Sequence, residues 1–250
     1  MSKPLSYSIP GPLTGDHSRM TRIYVWELPV RLTHWLMFFS LLVLIATGVY
    51  IHRPYLTPAP EQEGLMSLMR GLHVSAGFVL AISFLYRSYW SLVGNRFANW
   101  RTFFPVSRQR RQGAMEMIRY YLLIKPKPPH VLGHNALAGP AYCWIWVLYG
   151  IEILTGFALL DNFLHNNPIH HFLIGWLPAL IDMQWLRAIH FFGMFAFAAF
   201  FIHHIYSAVL IAKEERNGTV ESIFSGYKFV PEEELLAEQA AERAERQETR

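Results

Sequence analysis

Apolar residues in this chain collect into four long blocks, Leu32–Ile51, Gly71–Val93, Gly139–Leu160 and Trp185–Ala212, in which nearly every position is hydrophobic. A helix that is apolar on all sides has no face to turn toward water. Each block is long enough to cross a hydrocarbon core of about 30 Å, which takes roughly 20 helical residues. The pattern therefore predicts an all-α membrane protein, a four-helix transmembrane bundle.

The connections are short of apolar period. The first carries Pro54, Pro58 and Pro60 and then a short helical run, Gly64 to Arg70, leading into the second span. The second contains an amphipathic piece, Ala114–Ile124, which the prolines of Lys125-Pro-Lys-Pro-Pro129 end. The third contains Ile169–Ile181, apolar but too short and Pro-interrupted to span, and it predicts an interfacial helix. Residues 1–21 are expected as a flexible tail, 22–229 as the four-helix domain and 230–250 as a charged tail. The last twenty residues hold seven Glu and three Arg.

Composition agrees, with 52% hydrophobic and 16% charged residues in 250. Some thirty mixed residues precede the first full-length span, which is unlike a cleaved signal peptide, so that span is expected to be retained. Charge sets orientation. Residues 94–138 carry eight Lys and Arg against one acid, Glu116, whereas 52–70 and 161–184 together carry two, Arg53 and Arg70. The positive-inside rule places the central loop and both termini in the cytoplasm. The net charge of +4 is thus accounted for by topology, and no nucleic-acid partner is expected.

One cysteine, Cys143, excludes an internal disulfide, cysteine-ligated iron–sulfur clusters and the C-x-x-C-H attachment of c-type haem. Histidine is the informative residue instead. His190 and His204 lie fourteen residues apart in one span, a helical advance of about 21 Å that returns to nearly the same face. His34 and His73 open two other spans. With alternating span directions, His34 shares the inner level with His204, and His73 the outer level with His190. Ionisable groups inside a membrane are costly and mark function. Two imidazoles at one depth can fill both axial positions of a noncovalent haem b, leaving no place for oxygen and favouring electron transfer. The candidate iron ligands are therefore His34, His73, His190 and His204, for two bis-histidine haems between the helices.

Small residues at similar heights, Gly48, Gly77 and Gly193, would give a flat cofactor clearance. Arg87, fourteen residues after His73, is a candidate partner for a haem propionate on the inner level. Other readings stand beside these. A histidine in a membrane helix can instead donate an interhelical hydrogen bond. His203 points about 100° away from His204 and is expected at the interface or facing quinone. His17, His52, His130, His165, His170 and His171 are expected at the surface in tails or loops. Glu152, alone in the outer half of the third span, is expected to be neutral and hydrogen-bonded, or else to carry protons.

These residues stand in a frame that resembles the b-type cytochrome subunit of membrane-bound nickel–iron hydrogenases, within the wider family of four-helix di-haem cytochromes b. The resemblance runs from about Tyr24 to Phe229. It rests on Tyr24-Val-Trp-Glu-Leu-Pro-Val-Arg-Leu-Thr-His-Trp35, Leu72-His-Val-Ser-Ala-Gly77, Gly94-Asn-Arg96, Gly133-His-Asn-Ala-Leu-Ala138, Ile189-His-Phe-Phe-Gly-Met194, His204-Ile-Tyr206 and Ser225-Gly-Tyr227. The chain departs from the family pattern at Thr33, Ala136 and Arg187, where Trp, Pro and His are common.

The family's haem ligands fall on the four histidines chosen above. The resemblance also implies the partners: hydrogenase small and large subunits outside a bacterial inner membrane, the lipid bilayer, and quinone as electron acceptor near Tyr24, His34 and His203. It implies a respiratory electron-transport subunit that does no hydrogen chemistry itself. Two rival readings follow from the same residues: a cytochrome b serving a formate dehydrogenase or thiosulfate-type reductase, and a haem-free transporter or assembly factor using its histidines for metal or protons.

Overall fold

The structure, a computed structural model, describes residues 20–54, 64–100, 108–126, 138–164, 168–215, 217–232 and 235–236. Four helices dominate it: α1 (Leu28–His52), α2 (Leu65–Val93), α4 (Ala138–Leu164) and α7 (Met183–Glu215). All four are long and apolar enough to cross a membrane. They match the four predicted spans, each extended by a few residues of less apolar sequence.

The other elements are short: strand β1 (Met20–Tyr24), helices α3 (Arg108–Tyr121), α5 (Pro168–Ile174), α6 (Trp176–Leu180) and α8 (Ser222–Ser225), and strand β2 (Tyr227–Pro231). Here the structure adjusts the sequence reading. The run from Gly64 to Arg70 is the first part of α2 rather than a separate helix. The amphipathic piece is α3, which begins at Arg108 and ends at Tyr121, with Leu123 beyond it at a φ of 61°. The interfacial segment is two helices, α5 and α6, meeting at Gly175, where a Cβ would come within 2.6 Å of the His171 carbonyl. The two strands were not expected at all. His17, His130, His165 and the run from Gly133 to Leu137 lie outside the described residues, as do most of the two tails.

The chain divides into two compact units. The first contains residues 32–92 and 141–204 and holds the bodies of all four long helices. Its core is aromatic and aliphatic. Ile145, Leu148 and Phe197 form one buried cluster, joined by Leu41, Tyr149 and Phe200, which ties α1, α4 and α7. Ala158, Leu177 and Leu186 form another, packing α6 against α4 and α7. Phe84 of α2 lies 5.6 Å from Trp146 of α4, and the Trp146 indole donates to Ser88 Oγ at 3.0 Å. The outward faces carry exposed Phe39, Ile82, Leu85, Phe192 and Ile202. So large an apolar surface suits lipid rather than water.

The second unit contains residues 93–140, 205–250 and those up to 31. β1 pairs antiparallel with β2, Met20 opposite Pro231 and Tyr24 opposite Tyr227. The Arg22 guanidinium sits 3.6 Å over the Tyr227 ring. Three motifs quoted above meet here. The Asn95 backbone donates to Glu27 Oε2 at 2.8 Å, its side-chain amide donates to the Val25 carbonyl at 3.0 Å, and its Oδ1 accepts from Phe97 and Ala98. Val25 and Trp26 donate to the Gly226 carbonyl, the Trp26 indole donates to Ser222 Oγ, and Arg31 donates to the Phe224 carbonyl.

Gly226 caps α8 with a left-handed φ of 87°, and a Cβ there would lie 2.7 Å from the Trp26 carbonyl and 2.6 Å from the Tyr24 ring. Gly226→Ala is expected to destabilise this cap by about 1–2 kcal/mol from its backbone conformation alone. Amide exchange in detergent should then speed up for Tyr227–Val230; exchange as slow as in the unaltered protein would contradict this account.

Candidate functional site

All four predicted histidines belong to the unit that holds the helix bodies, and they come together in two pairs. His34 of α1 faces His204 of α7 with ring centres 6.4 Å apart. His73 of α2 faces His190 of α7 with ring centres 6.2 Å apart. These are the pairs that depth alone predicted.

Hydrogen bonding at the His73/His190 level fixes which ring nitrogens carry the proton. Thr47 Oγ1 lies 2.6 Å from the Val43 carbonyl and 2.9 Å from His73 Nδ1. A hydroxyl has one proton, and here it goes to the carbonyl, so Thr47 can only accept from the ring. Thr155 repeats this: its hydroxyl donates to the Ile151 carbonyl at 2.8 Å and accepts from His190 Nδ1 at 3.1 Å. Each ring therefore carries its proton on Nδ1 and keeps the lone pair on Nε2, as metal-ligating histidines with a fixed outer partner do.

Glycine follows each threonine. A Cβ at Gly48 would lie 3.3 Å from His73 Cε1, and one at Gly156 would lie 3.1 Å from His190 Cε1. Two Thr-Gly pairs, Thr47-Gly48 on α1 and Thr155-Gly156 on α4, thus cradle the two rings in the same way. Sequence reasoning singled out Gly48 and passed over Gly156 and both threonines. The signal was present as the same dipeptide late in two spans running in one direction.

Glu152 is not solitary. Its Oε2 lies 3.0 Å from His190 Nδ1, its side chain is only 10% exposed, and Oε1 is buried without a hydrogen-bond partner. A Cβ at Gly193 would collide with this carboxylate, so Gly193 makes room for Glu152. No heavy atom lies within 4 Å of a Cβ built at Gly77. His52 is exposed, as expected, but it is the last residue of α1 rather than part of a loop, and its ring stacks on Phe191 at 4.2 Å. His203 is exposed, and Tyr24 packs against Tyr227 at 5.0 Å.

The His34/His204 pair is dressed differently. His34 Nδ1 is buried without a hydrogen-bond partner, His34 meets Trp35 edge-on, and His204 stacks on Phe200 with rings 8° from parallel. Arg87 of α2 is 7% exposed, with its Nη1 buried and unpartnered and its guanidinium carbon 5.5 Å from the Trp146 ring. A buried cation of this kind calls for an anion.

The residues fit haem. A metal held at about 2 Å by one nitrogen of each of two opposed imidazoles sets their ring centres roughly 6.3 Å apart. Each pair offers two imidazoles at the separation that one haem iron takes. The unpartnered Arg87 nitrogen fits a carboxylate such as a propionate.

Fold and site together define a multi-pass membrane cytochrome of the four-helix kind. The model of the family described as prokaryotic cytochrome b561 matches residues 25–226, and the chain belongs to that family. It is 35% identical over 209 residues to the probable Ni/Fe-hydrogenase B-type cytochrome subunit of Bradyrhizobium diazoefficiens, covering 82% of this chain and 85% of that one. The corresponding protein of Rhodobacter capsulatus is 32% identical, covering 89% and 90%. The probable Ni/Fe-hydrogenase 1 B-type cytochrome subunit of Escherichia coli K12 is 31% identical, covering 82% and 90%. Membership implies b-type haem, in keeping with a chain that lacks the cysteines for covalent attachment.

Gly48→Leu would drive a branched side chain into the space of the His73 ring. With His73 as a haem ligand, purified protein should then lose haem by pyridine haemochrome assay. Unchanged haem content would remove His73 from the candidate ligands.

Proposed function

We propose that this chain is the membrane-anchoring cytochrome b of a nickel–iron hydrogenase and carries electrons from that enzyme to the membrane quinone pool. The observation that supports this best is the pair of ring separations, 6.4 and 6.2 Å, each suited to one iron between two imidazoles. When bound, two b haems supply one-electron transfer with no coordination position open to oxygen. His34 with His204, and His73 with His190, would hold the iron of each.

The chain's own residues do the rest. Thr47 and Thr155 hold the Nδ1 protons of His73 and His190 and keep Nε2 toward the cofactor. Gly48 and Gly156 let those rings seat against α1 and α4. Arg87 pairs with a propionate at the His34/His204 level and keeps that carboxylate from lying unpaired among apolar side chains. The exposed apolar faces of the helices exclude water and hold the subunit in the bilayer.

The partner is supported by the names of the relatives, which are hydrogenase cytochrome subunits in each organism cited. Hydrogenase small and large subunits would dock at the His73/His190 end. Loop charge supports an inner-membrane orientation with both termini cytoplasmic, which puts the His34/His204 end on the cytoplasmic side. Quinone reduced there takes protons from the cytoplasm while hydrogen oxidation releases them outside, and turnover builds a proton gradient.

Four results are expected. The purified chain should hold two b haems by pyridine haemochrome, and its complex with hydrogenase should reduce a quinone analogue with hydrogen. His204→Ala should bring that quinone reduction to background while dye-linked hydrogenase activity survives; persisting quinone reduction would rule out the route. Arg87→Leu removes a positive charge that favours the reduced haem, so a redox titration should show one midpoint lowered, whereas an unchanged titration would exclude Arg87 from the haem site.

A further inference from the structure

We infer that Glu152 is a positioning residue that makes His190 the most electron-donating of the four histidines and so holds the haem at the His73/His190 level at a lower potential than its neighbour. The inference rests on the ligand assignment proposed above and goes beyond it to the direction in which electrons fall.

The four rings are dressed unequally. His73 meets neutral acceptors, the Thr47 hydroxyl at Nδ1 and the Leu44 backbone carbonyl. His190 Nδ1 is shared between the Thr155 hydroxyl at 3.1 Å and the Glu152 carboxylate at 3.0 Å. His34 Nδ1 has no partner, and among the described residues no carboxylate pairs with His34 or His204. Hydrogen bonding from a ligating imidazole to a carboxylate raises the basicity of the nitrogen that binds metal, and such outer partners tune haem potential. Among the described residues, only the His73/His190 level has this device.

The surroundings preserve it. Glu152 is one turn before Thr155 on α4 and is carried to His190 by the same helix face, while Gly193 opposite leaves space that a Cβ would fill. Glu152 Oε1 accepts no other hydrogen bond, so the carboxylate's strongest contact is the one to His190. A negative group in an apolar setting is stabilised by positive charge nearby, and the oxidised iron of the adjacent haem carries it. Binding the oxidised form better than the reduced form is what a low potential means. An electron arriving at this level then moves spontaneously toward the His34/His204 level, where no carboxylate among the described residues opposes reduction.

Potentiometric titration of the purified chain, followed by absorbance and by the ferric low-spin resonance of each haem, tests this with Glu152→Gln and Glu152→Asp. Glutamine keeps an oxygen acceptor and removes the charge. The lower of the two midpoints should rise in Glu152→Gln with the higher one unmoved, and Glu152→Asp should stay close to the unaltered protein. Both midpoints unmoved in Glu152→Gln, with two haems still bound, would overturn the inference and leave the ligand assignment standing. Loss of a haem from both variants would also overturn it, since Glu152 would then matter for packing rather than charge; loss from Glu152→Gln alone would support a need for the charge. An unaltered chain with no haem would instead remove the ligand assignment itself.

Discussion

A polar atom in a hydrocarbon slab has no water to bond, and each imidazole in this chain carries two such atoms. That constraint organises the site. At the His73/His190 level, threonines one helix away take the Nδ1 proton of each ring, and they can do so because their own hydroxyl protons are already given to helix carbonyls. The second nitrogen of each ring keeps its lone pair, and with ring centres 6.2 Å apart the two rings can share a cation.

Away from the helix bodies a different kind of constraint operates. Segments separated by some two hundred residues are tied by backbone and indole hydrogen bonds around Asn95, Gly226 and Trp26. Among the motifs that carry the family resemblance, the Tyr24–Trp26 start of the first, Gly94–Arg96 and Ser225–Tyr227 meet in this tie, whereas His34 near the end of the first belongs to the helix bodies. Asn95 uses its side-chain amide and carbonyl and its backbone N–H at once, and Gly226 takes a left-handed conformation beneath the Tyr24 ring. Conformational economy of that sort leaves a sequence signature as sharp as a ligand set.

The legibility of the sequence follows the same division. Spans and histidine depth can be read along one dimension, because length gives the membrane crossing and position within a span gives height. Pairings between helices at equal height require azimuth, which apolar blocks without a period do not reveal. Glu152 therefore reads as isolated along the chain, and Gly156 carries no signal beyond the dipeptide it shares with Gly48. The strands β1 and β2 leave no trace in the sequence because five residues with a partner two hundred positions away give no local alternation. His52 reads as a loop residue because α1 runs one residue past the end of its apolar block.

Three helices supply the four histidines, and α4 supplies none. It gives instead Thr155 and Glu152 to His190, the clearance of Gly156, and Trp146 between Ser88 and Arg87. Ligation and tuning are thereby placed on different helices. On the proposed reading, substitutions in α1, α2 or α7 at the histidines abolish a site, whereas substitutions in α4 shift its properties and leave the ligands in place. A membrane cytochrome that must match one donor and one acceptor benefits from this separation, because the potential at one level can change without disturbing the iron ligands at either.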